Sequence, residues 1–352
     1  MQLMTGVDYF FVQRELSQLE GGFLNKVYDE GGEGGKFRLK FNNNGERNVR
    51  VEVGKRIHLT NLLPPATETQ SSFTKLLRQK LDNARLQSVK QVGMDRIISF
   101  SFSNGISLVF ESFAKGNAFL LEEDGKIMRL MLKDSSPRQL QANKQYVAPE
   151  GKKSVLEAGE KDFDESNALS QASKKFGISS FYAREALARA KIDEEKEKLS
   201  EEEKKKLAAS LRSLCEKASP RIYFENGQPA FFSPVEMESV KLESKLFESF
   251  SECLDEFFAS YIALPKEKVD ENVVKKQKIV ASLQQLQKAR VELEKQIVEE
   301  KEKGDWVYAH YQGVEKALDA VKEGKEKLLE KSLAGAKVIG KRLVLAVDDK
   351  VD

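Results

Sequence analysis

Short segments of alternating apolar and polar residues, separated by turns rich in glycine and asparagine, dominate residues 1–150. A period of two places successive side chains on opposite faces of a strand. Asn104-Gly105 lies between two such segments and is a strong hairpin signal. Because strands and crossover helices do not alternate, the sequence predicts an α+β fold with an antiparallel sheet. The predicted strands are 26–28, 36–41, 49–53, 57–59, 87–93, 97–102, 106–110 and 118–121.

The 352 residues should form two or three units, because single cores stop growing well short of this length. The first predicted domain, 1–150, includes helices at 8–19 and 73–81. A polar linker then leads to a mainly helical domain at 165–262, with one small hairpin near Asn226-Gly227. Two of its helices flank Gly177-Ile-Ser-Ser180 in a helix-hairpin-helix pattern. The hairpin amides can meet a phosphate, although a plain helical corner fits the pattern equally well.

Heptad steps of apolar residues follow, which predict a coiled-coil arm over 266–333 and a short strand segment over 336–352. We expect the arm to be broken or bent near Gly304. A coiled-coil helix needs a partner to cover its apolar seam. The seam should therefore be exposed in this chain alone, with its partner beyond Asp352 or on a second polypeptide. The predicted seam includes Leu283, Leu286, Val314 and Leu318.

Composition narrows the function classes. The longest apolar runs are far too short to span a bilayer and no secretory signal opens the chain, which indicates a cytoplasmic protein without a membrane partner. Cys215 and Cys253 suit neither a disulfide framework nor a metal site. With only His58 and His310 besides, the sequence predicts no metal, no cofactor and no Cys/His catalytic site.

Positive charge is concentrated in the first domain. Residues 1–150 contain 21 Lys and Arg against 17 Asp and Glu, whereas the remainder contains 37 against 39. Clusters of this kind suit phosphate contacts, although an ordinary solvated face is the simpler explanation. The first cluster comprises Lys36, Arg38, Lys40, Arg47, Arg50, Lys55 and Arg56, and the second comprises Lys75, Arg78, Lys80, Arg85 and Lys90.

An ordered set of short motifs runs through the chain. The set consists of Asp8 in the opening helix, Lys26-Val-Tyr28, Leu59-Thr60 with Pro64-Pro65, Leu77-Arg78, Asp95-Arg96, Lys115-Gly-Asn117, Tyr182-Ala-Arg-Glu185 and Tyr308-Ala-His-Tyr311. In this order the motifs resemble those of the RqcH/NEMF (NFACT, FbpA-like) family, in its archaeal style. The resemblance implies a first domain folded like the N-terminal domain of formamidopyrimidine-type DNA glycosylases.

The resemblance also implies a function. Family members act in ribosome quality control: they bind stalled large ribosomal subunits carrying peptidyl-tRNA, contact rRNA, and recruit tRNA for C-terminal tailing of the nascent chain. For a chain of this style the implied tRNA is alanyl-tRNA. The ribosome's own RNA transfers the peptide, so the protein is expected to position tRNA and not to be an enzyme. Family members normally continue into a second coiled-coil helix and a C-terminal RNA-binding domain, which this sequence does not include.

The resemblance assigns tRNA handling to Asp8 and to the Asp95-Arg96 pair. Arg96 can make a bidentate contact to a phosphate or a base edge, and Asp95 can orient the guanidinium. We expect a groove around this pair, walled by the basic helix that contains Lys75 and Arg78 and by the turn at Lys115-Gly116-Asn117. The structural alternatives are that Asp8 only caps its helix and that the pair is an exposed one of little weight.

Three other functions are alternatives to ribosome quality control. A DNA glycosylase of the related fold needs an N-terminal proline amine and an adjacent glutamate, and here Gln2 and Leu3 follow Met1. A surface adhesin lacks support because no signal peptide or anchoring motif is present. An RNA- or protein-binding coiled-coil scaffold without tailing activity stays open.

Overall fold

The computed structural model describes residues 2–263 except 32–34, 68–69, 134–137, 164–166 and 197, most positions from 286 to 322, and residues 337–339 and 342–344. The chain divides into two compact units, Met1–Pro265 and Lys266–Asp352. Leu283, one of the seam residues, lies outside the described positions. No helix in the described part of the chain is long and apolar enough to cross a membrane.

A nine-stranded antiparallel sheet forms the centre of the first unit, which confirms the predicted α+β class. Its strand order is β4-β3-β2-β1-β5-β6-β7-β8-β9, so each strand lies beside its neighbour in sequence except where β1 pairs with β5. The strands are β1 Phe23–Asp29, β2 Lys36–Asn42, β3 Glu46–Glu52, β4 Arg56–Leu59, β5 Ala84–Gln91, β6 Ile97–Phe102, β7 Ser107–Glu111, β8 Asn117–Leu121 and β9 Ile127–Leu130.

The two halves of this sheet, β1–β4 and β5–β9, face each other across an apolar core. Phe37 on β2 contacts Phe110 on β7 with ring centroids 5.5 Å apart, and Phe41 on β2 lies 6.4 Å from Phe100 on β6. All four rings are buried. Burying each ring stabilises the fold by roughly 2–3 kcal/mol. The apolar residues of the alternating segments therefore hold the two halves of the sheet together.

Helices and a second, smaller sheet complete the first unit. The regions predicted as separate domains, 1–150 and 165–262, share one continuous hydrophobic core. The predicted hairpin near Asn226-Gly227 exists, but a third strand joins it to make a three-stranded sheet in the order β11-β10-β12. The helices are α1 Gly6–Leu16, α2 Ser72–Leu81, α3 Ala168–Phe176, α4 Ser180–Ala190, α5 Glu201–Ser213 and α6 Phe250–Ala263, and the strands are β10 Arg221–Glu225, β11 Gln228–Ser233 and β12 Glu243–Leu246.

The second unit is helical over most described positions from 286 to 309 and continues as α7, Tyr311–Lys322. Gly304 is itself helical and the interruption falls at His310, so the predicted break near Gly304 is misplaced by six residues. Two short antiparallel strands, β13 Lys337–Ile339 and β14 Arg342–Val344, follow. The described residues show no coiled coil, which therefore stays a prediction.

Exposure along this helical region follows the predicted seam only in part. Leu286 is 64% exposed and Leu318 is 44% exposed, as expected. Val314 is buried, contrary to the prediction, and so is Ala317 three positions further on. Residues three apart lie on the same side of a helix, so that side of α7 is covered.

Candidate functional site

Asp95 and Arg96 lie in the tight turn between β5 and β6, and both are half-buried. The backbone around Arg96 is fully hydrogen bonded: its N–H donates to Asp95 Oδ1 at 2.7 Å, and its carbonyl accepts from Ser112 N at 2.9 Å. Among the described residues, none accepts a hydrogen bond from the Arg96 guanidinium. A rigid backbone therefore presents an arginine side chain whose donors remain available for a ligand.

The first turn of α1 packs directly against this β5–β6 turn. A Cβ added to Gly6 would lie 1.9 Å from the carbonyl oxygen of Met94. Such an overlap is impossible without a backbone shift, so only glycine fits here. The same Cβ position lies 3.8 Å from the carbonyl oxygen of Gly177, in the turn between α3 and α4. The N-terminus of α1, the Asp95–Arg96 turn and the helix-hairpin-helix turn therefore meet at one place.

Asp8 lies in this junction but is completely buried. Its Oδ1 accepts a hydrogen bond from the Tyr182 hydroxyl at 2.6 Å, and its Oδ2 accepts one from Thr5 N at 2.6 Å. Burial is the main cause that raises the pKa of Asp8 to about 6, and its hydrogen bonds to Tyr182 and Thr5 oppose that rise. The expectation that Asp8 contacts tRNA directly is therefore corrected, because its carboxylate is closed to solvent. The bond from Thr5 N shows that Asp8 caps α1, and the bond from Tyr182 gives its carboxylate a second structural role.

The two residues predicted in the β7–β8 turn have different environments. Lys115 is exposed, and its turn is adjacent to Arg96 through the bond from Ser112. Asn117 is buried: its Nδ2 donates to the Leu132 carbonyl at 2.8 Å and its Oδ1 accepts from Leu132 N at 2.9 Å. The amide of Asn117 thus holds β8 to the segment after β9. It is a structural residue, which corrects its assignment to tRNA contact.

Helix α2, with Lys75 and Arg78, packs along β1, and Thr74 near its start donates to Asp29 at the end of that strand at 2.9 Å. Near the C-terminus of α2, the carbonyl of Lys80 accepts a hydrogen bond from Asn104 Nδ2 at 2.9 Å, and Asn104 is in the β6–β7 turn. In an antiparallel meander, that turn is at the opposite end from the β5–β6 and β7–β8 turns. Arg78 also donates through Nε to the Val27 carbonyl on β1 at 2.7 Å. The C-terminal end of α2 therefore lies away from the Lys115 turn, and the expected groove between α2 and that turn stays a prediction.

Three arginines of the first basic cluster are internal. Arg38, Arg50 and Arg56 are all less than 10% exposed. Arg50 is paired with Glu30 at 3.1 Å and Arg56 with Glu52 at 3.2 Å. Burial lowers the pKa of Arg56 to about 10. These three arginines form a buried ion-pair cluster on β2–β4 and are unavailable to phosphates, whereas Arg47 is exposed.

Two functional candidates were missed in the sequence, Tyr182 and Gln91. Gln91 is the last residue of β5, and its Nε2 donates to both the Gly6 carbonyl at 2.9 Å and the Asp95 carbonyl at 2.8 Å. Tyr182 was part of a recognised motif, but nothing local indicated its hydroxyl's partner. Both residues act through contacts between distant segments, which no periodicity or spacing reveals.

Potential metal ligands are dispersed over the part of the chain that the structure describes. No cluster of three or more His, Cys, Asp or Glu side chains capable of holding a metal ion occurs among those residues. Cys215 and Cys253 are both buried, and burial raises the pKa of Cys215 to about 12. A thiol of this kind stays protonated at neutral pH and is a poor nucleophile or ligand.

The fold and the junction together define a class: a nine-stranded antiparallel sheet whose two halves face each other, fused to a pair of helices, α3 and α4, with an arginine-bearing turn where they meet. The chain belongs to the NFACT family, since the model of the NFACT N-terminal and middle domains matches residues 5–331. It is 31% identical over 357 residues to the archaeal Rqc2 homolog aRqcH of Methanocaldococcus jannaschii, covering 92% of this chain and 53% of the relative. This chain thus spans about half of that relative's length.

More distant proteins share parts of the sequence or the fold. Ribosome quality control complex subunit 2 of Saccharomyces cerevisiae is 40% identical over 132 residues, covering 37% of this chain and 13% of the yeast protein. The crystal structure of the fibrinogen binding protein from Staphylococcus aureus matches with a TM-score of 0.61 and 18% identity, covering 72% of this chain and 98% of that one. At this identity the likeness concerns the fold alone. The predicted likeness to glycosylase N-terminal domains stays a prediction.

Proposed function

We propose that this protein is a ribosome quality-control factor that binds stalled large ribosomal subunits and positions tRNA through Arg96. The relatives named above as ribosome quality-control subunits support the general role. The observation that carries the tRNA contact is the Arg96 guanidinium, held on a rigid turn and without an acceptor among the described residues. Planar donors of this kind suit a phosphate or a base edge, which are the groups that RNA offers.

Asp95 and Lys115 complete the proposed contact. Asp95 fixes the backbone of Arg96, while the exposed Lys115 on the adjacent turn can contact a phosphate. Lys75 and Arg78 on α2 would supply further phosphate contacts. The protein would act by positioning, as a non-enzymatic factor in the cytosol, with peptide transfer by the ribosomal RNA. Alanine tailing with alanyl-tRNA is the form of this activity that we propose.

A coiled-coil scaffold without tailing activity is the second candidate. Its support is the exposed apolar side chains of the second unit, Leu286 and Ile297, at 64% and 65% exposure. A second helix, from this or another polypeptide, would cover them. Such a scaffold could bind RNA or protein without any role for Arg96.

Co-sedimentation with large ribosomal subunits separates the two candidates. The purified chain would be mixed with subunits that carry peptidyl-tRNA and with subunits that have been stripped of it. We expect tighter binding when tRNA is present, and we expect Arg96→Ala to remove that difference. Arg47→Ala is the matched control, because Arg47 is an exposed arginine on β3, away from the turn. Equal binding to both kinds of subunit would favour the scaffold.

A further inference from the structure

We propose that Gln91 is a positioning residue for Arg96, locking the Asp95–Arg96 turn to the first turn of α1. This inference rests on the proposed tRNA contact of Arg96. Neither the motifs of the sequence nor the expected groove included Gln91. Its role follows from the two hydrogen bonds that a single amide group makes.

The amide of Gln91 bridges two segments that are otherwise distant in sequence. Its Nε2 donates to the Gly6 carbonyl and to the Asp95 carbonyl, at 2.9 and 2.8 Å. An amide nitrogen has two hydrogens, so both are used and no other side chain atom of Gln91 could serve either carbonyl. Gly6 opens α1, and the Asp95 carbonyl belongs to the peptide group that leads into Arg96.

With this bond, every backbone polar group flanking the Arg96 Cα is fixed. The Asp95 carbonyl is held by Gln91, the Arg96 N–H by the Asp95 carboxylate, and the Arg96 carbonyl by Ser112. Only the first of these anchors connects the turn to a different layer of the unit, helix α1. Without it, the peptide group between Asp95 and Arg96 keeps only the local bond from the Arg96 N–H to the Asp95 carboxylate, so the direction of the arginine side chain is held less firmly.

The first turn of α1, which the Gln91 amide contacts, is itself closely packed. Gly6 has no space for a Cβ against Met94, so α1 and the turn are already in van der Waals contact. Two residues further along the helix, Asp8 is bonded to Tyr182 on α4. The Gln91 amide therefore connects Arg96 to a fixed point shared with the helix-hairpin-helix.

The chain supplies a matched control in Gln13. Its Nε2 also bridges α1 and β5, donating to the Val89 carbonyl at 2.7 Å and to Ser17 Oγ at 2.8 Å. Gln13 and Gln91 thus make the same kind of contact between the same two elements, but only Gln91 reaches the turn. Any general loosening of α1 from β5 should affect Gln13→Leu and Gln91→Leu alike.

The test measures tRNA affinity and thermal melting for Gln91→Leu, Gln13→Leu, Arg96→Ala and the Gln91→Leu/Arg96→Ala double variant. We expect both leucine variants to melt earlier by a similar amount. Only Gln91→Leu should lose tRNA affinity, by about five- to tenfold, and this loss should vanish in the Arg96→Ala background because the two residues act as one unit. Gln91→Asn, whose shorter amide cannot reach both carbonyls, repeats the test if the leucine variant fails to fold.

The outcomes separate the two proposals. Equal losses of affinity for the Gln91 and Gln13 variants, or an undiminished Gln91 effect in the Arg96→Ala background, would overturn the positioning role. An Arg96→Ala variant with unchanged tRNA affinity would instead overturn the proposed function itself.

Discussion

The hydroxyl of Tyr182 donates a 2.6 Å hydrogen bond to the carboxylate of Asp8, although the two residues are 174 positions apart in sequence. Both side chains are completely buried. The bond connects the opening helix of the chain to the second helix of the helix-hairpin-helix, α1 to α4. It makes Asp8 a structural link behind the Arg96 turn.

Removing the hydroxyl of Tyr182 should destabilise the protein. Tyr182→Phe leaves Asp8 Oδ1 buried without this donor, and a buried polar atom that loses its partner costs about 1–3 kcal/mol. Urea unfolding at pH 7 measures the change. Phe181→Leu, at the neighbouring half-buried position, controls for general loss of packing in α4. A Tyr182→Phe variant as stable as the parent protein would contradict the link.

The Asp8 carboxylate should also give stability a characteristic pH dependence. Its pKa is raised from 3.8 to about 6 in the folded state, so the folded protein holds this proton more tightly than the unfolded chain does. The stability that this proton provides is present below about pH 4 and is lost as the pH rises through 6. Relative to the parent, Asp8→Asn should therefore gain up to about 3 kcal/mol between pH 4 and 7. Parallel stability curves for the two proteins would contradict this assignment.

Gly6 should tolerate no side chain. Gly6→Ala places a methyl group against the Met94 carbonyl, and overpacking of this kind costs about 3 kcal/mol. Because the displaced backbone leads into Asp95 and Arg96, we also expect weaker tRNA binding. The control is Gly151→Ala, where an added Cβ would have no atom within 4 Å. The measurement is the melting temperature of the two variants. Equal melting temperatures would show that the backbone at Gly6 and Met94 can shift to accommodate a methyl group, which would contradict the prediction.

Substitutions at Asn117 and Lys115, in the same turn, should have different effects: the first on stability and the second on tRNA binding. Asn117→Ala removes hydrogen bonds to both backbone groups of Leu132 and should cost about 2–3 kcal/mol. Lys115→Ala, at an exposed position, should change stability by no more than about 0.5 kcal/mol. It should instead weaken tRNA binding and reduce the salt dependence of binding. Stability measurements and salt titrations on both variants test this division, and a destabilised Lys115→Ala would contradict it.

The sequence predicted most of the local structure but little of the junction. Apolar alternation directly predicted strands such as β2 and β6. Glycine and asparagine predicted the turns that join consecutive strands. Contacts between distant segments carry no such local signal. Burial of Asp8 depends on Tyr182, and the amide of Gln91 meets two carbonyls brought together only by the fold. Charge along a helix likewise says nothing about which end of the sheet the helix lies against, so the sequence alone could not fix where α2 lies relative to Arg96.

The basic residues of β2–β4 show a related limit. Their spacing predicted an exposed positive surface, and the alternation did place Arg38 and Arg50 on one face of the sheet, opposite each other. Glu30, just after β1, was not counted in that cluster, yet it lies between them in space. Because the Glu30 carboxylate pairs with both arginines, this candidate RNA surface is a buried ion-pair cluster.

The most direct test of the central claim is tRNA affinity measured with thermal melting on the same Arg96→Ala sample, with Arg47→Ala alongside. We predict that Arg96→Ala loses about 1–3 kcal/mol of binding free energy at fixed salt, while both variants melt like the parent protein. Arg47→Ala should bind tRNA nearly as well as the parent. Unchanged tRNA affinity in Arg96→Ala, or a collapse of its melting temperature, would show that Arg96 is a structural residue and would contradict the account.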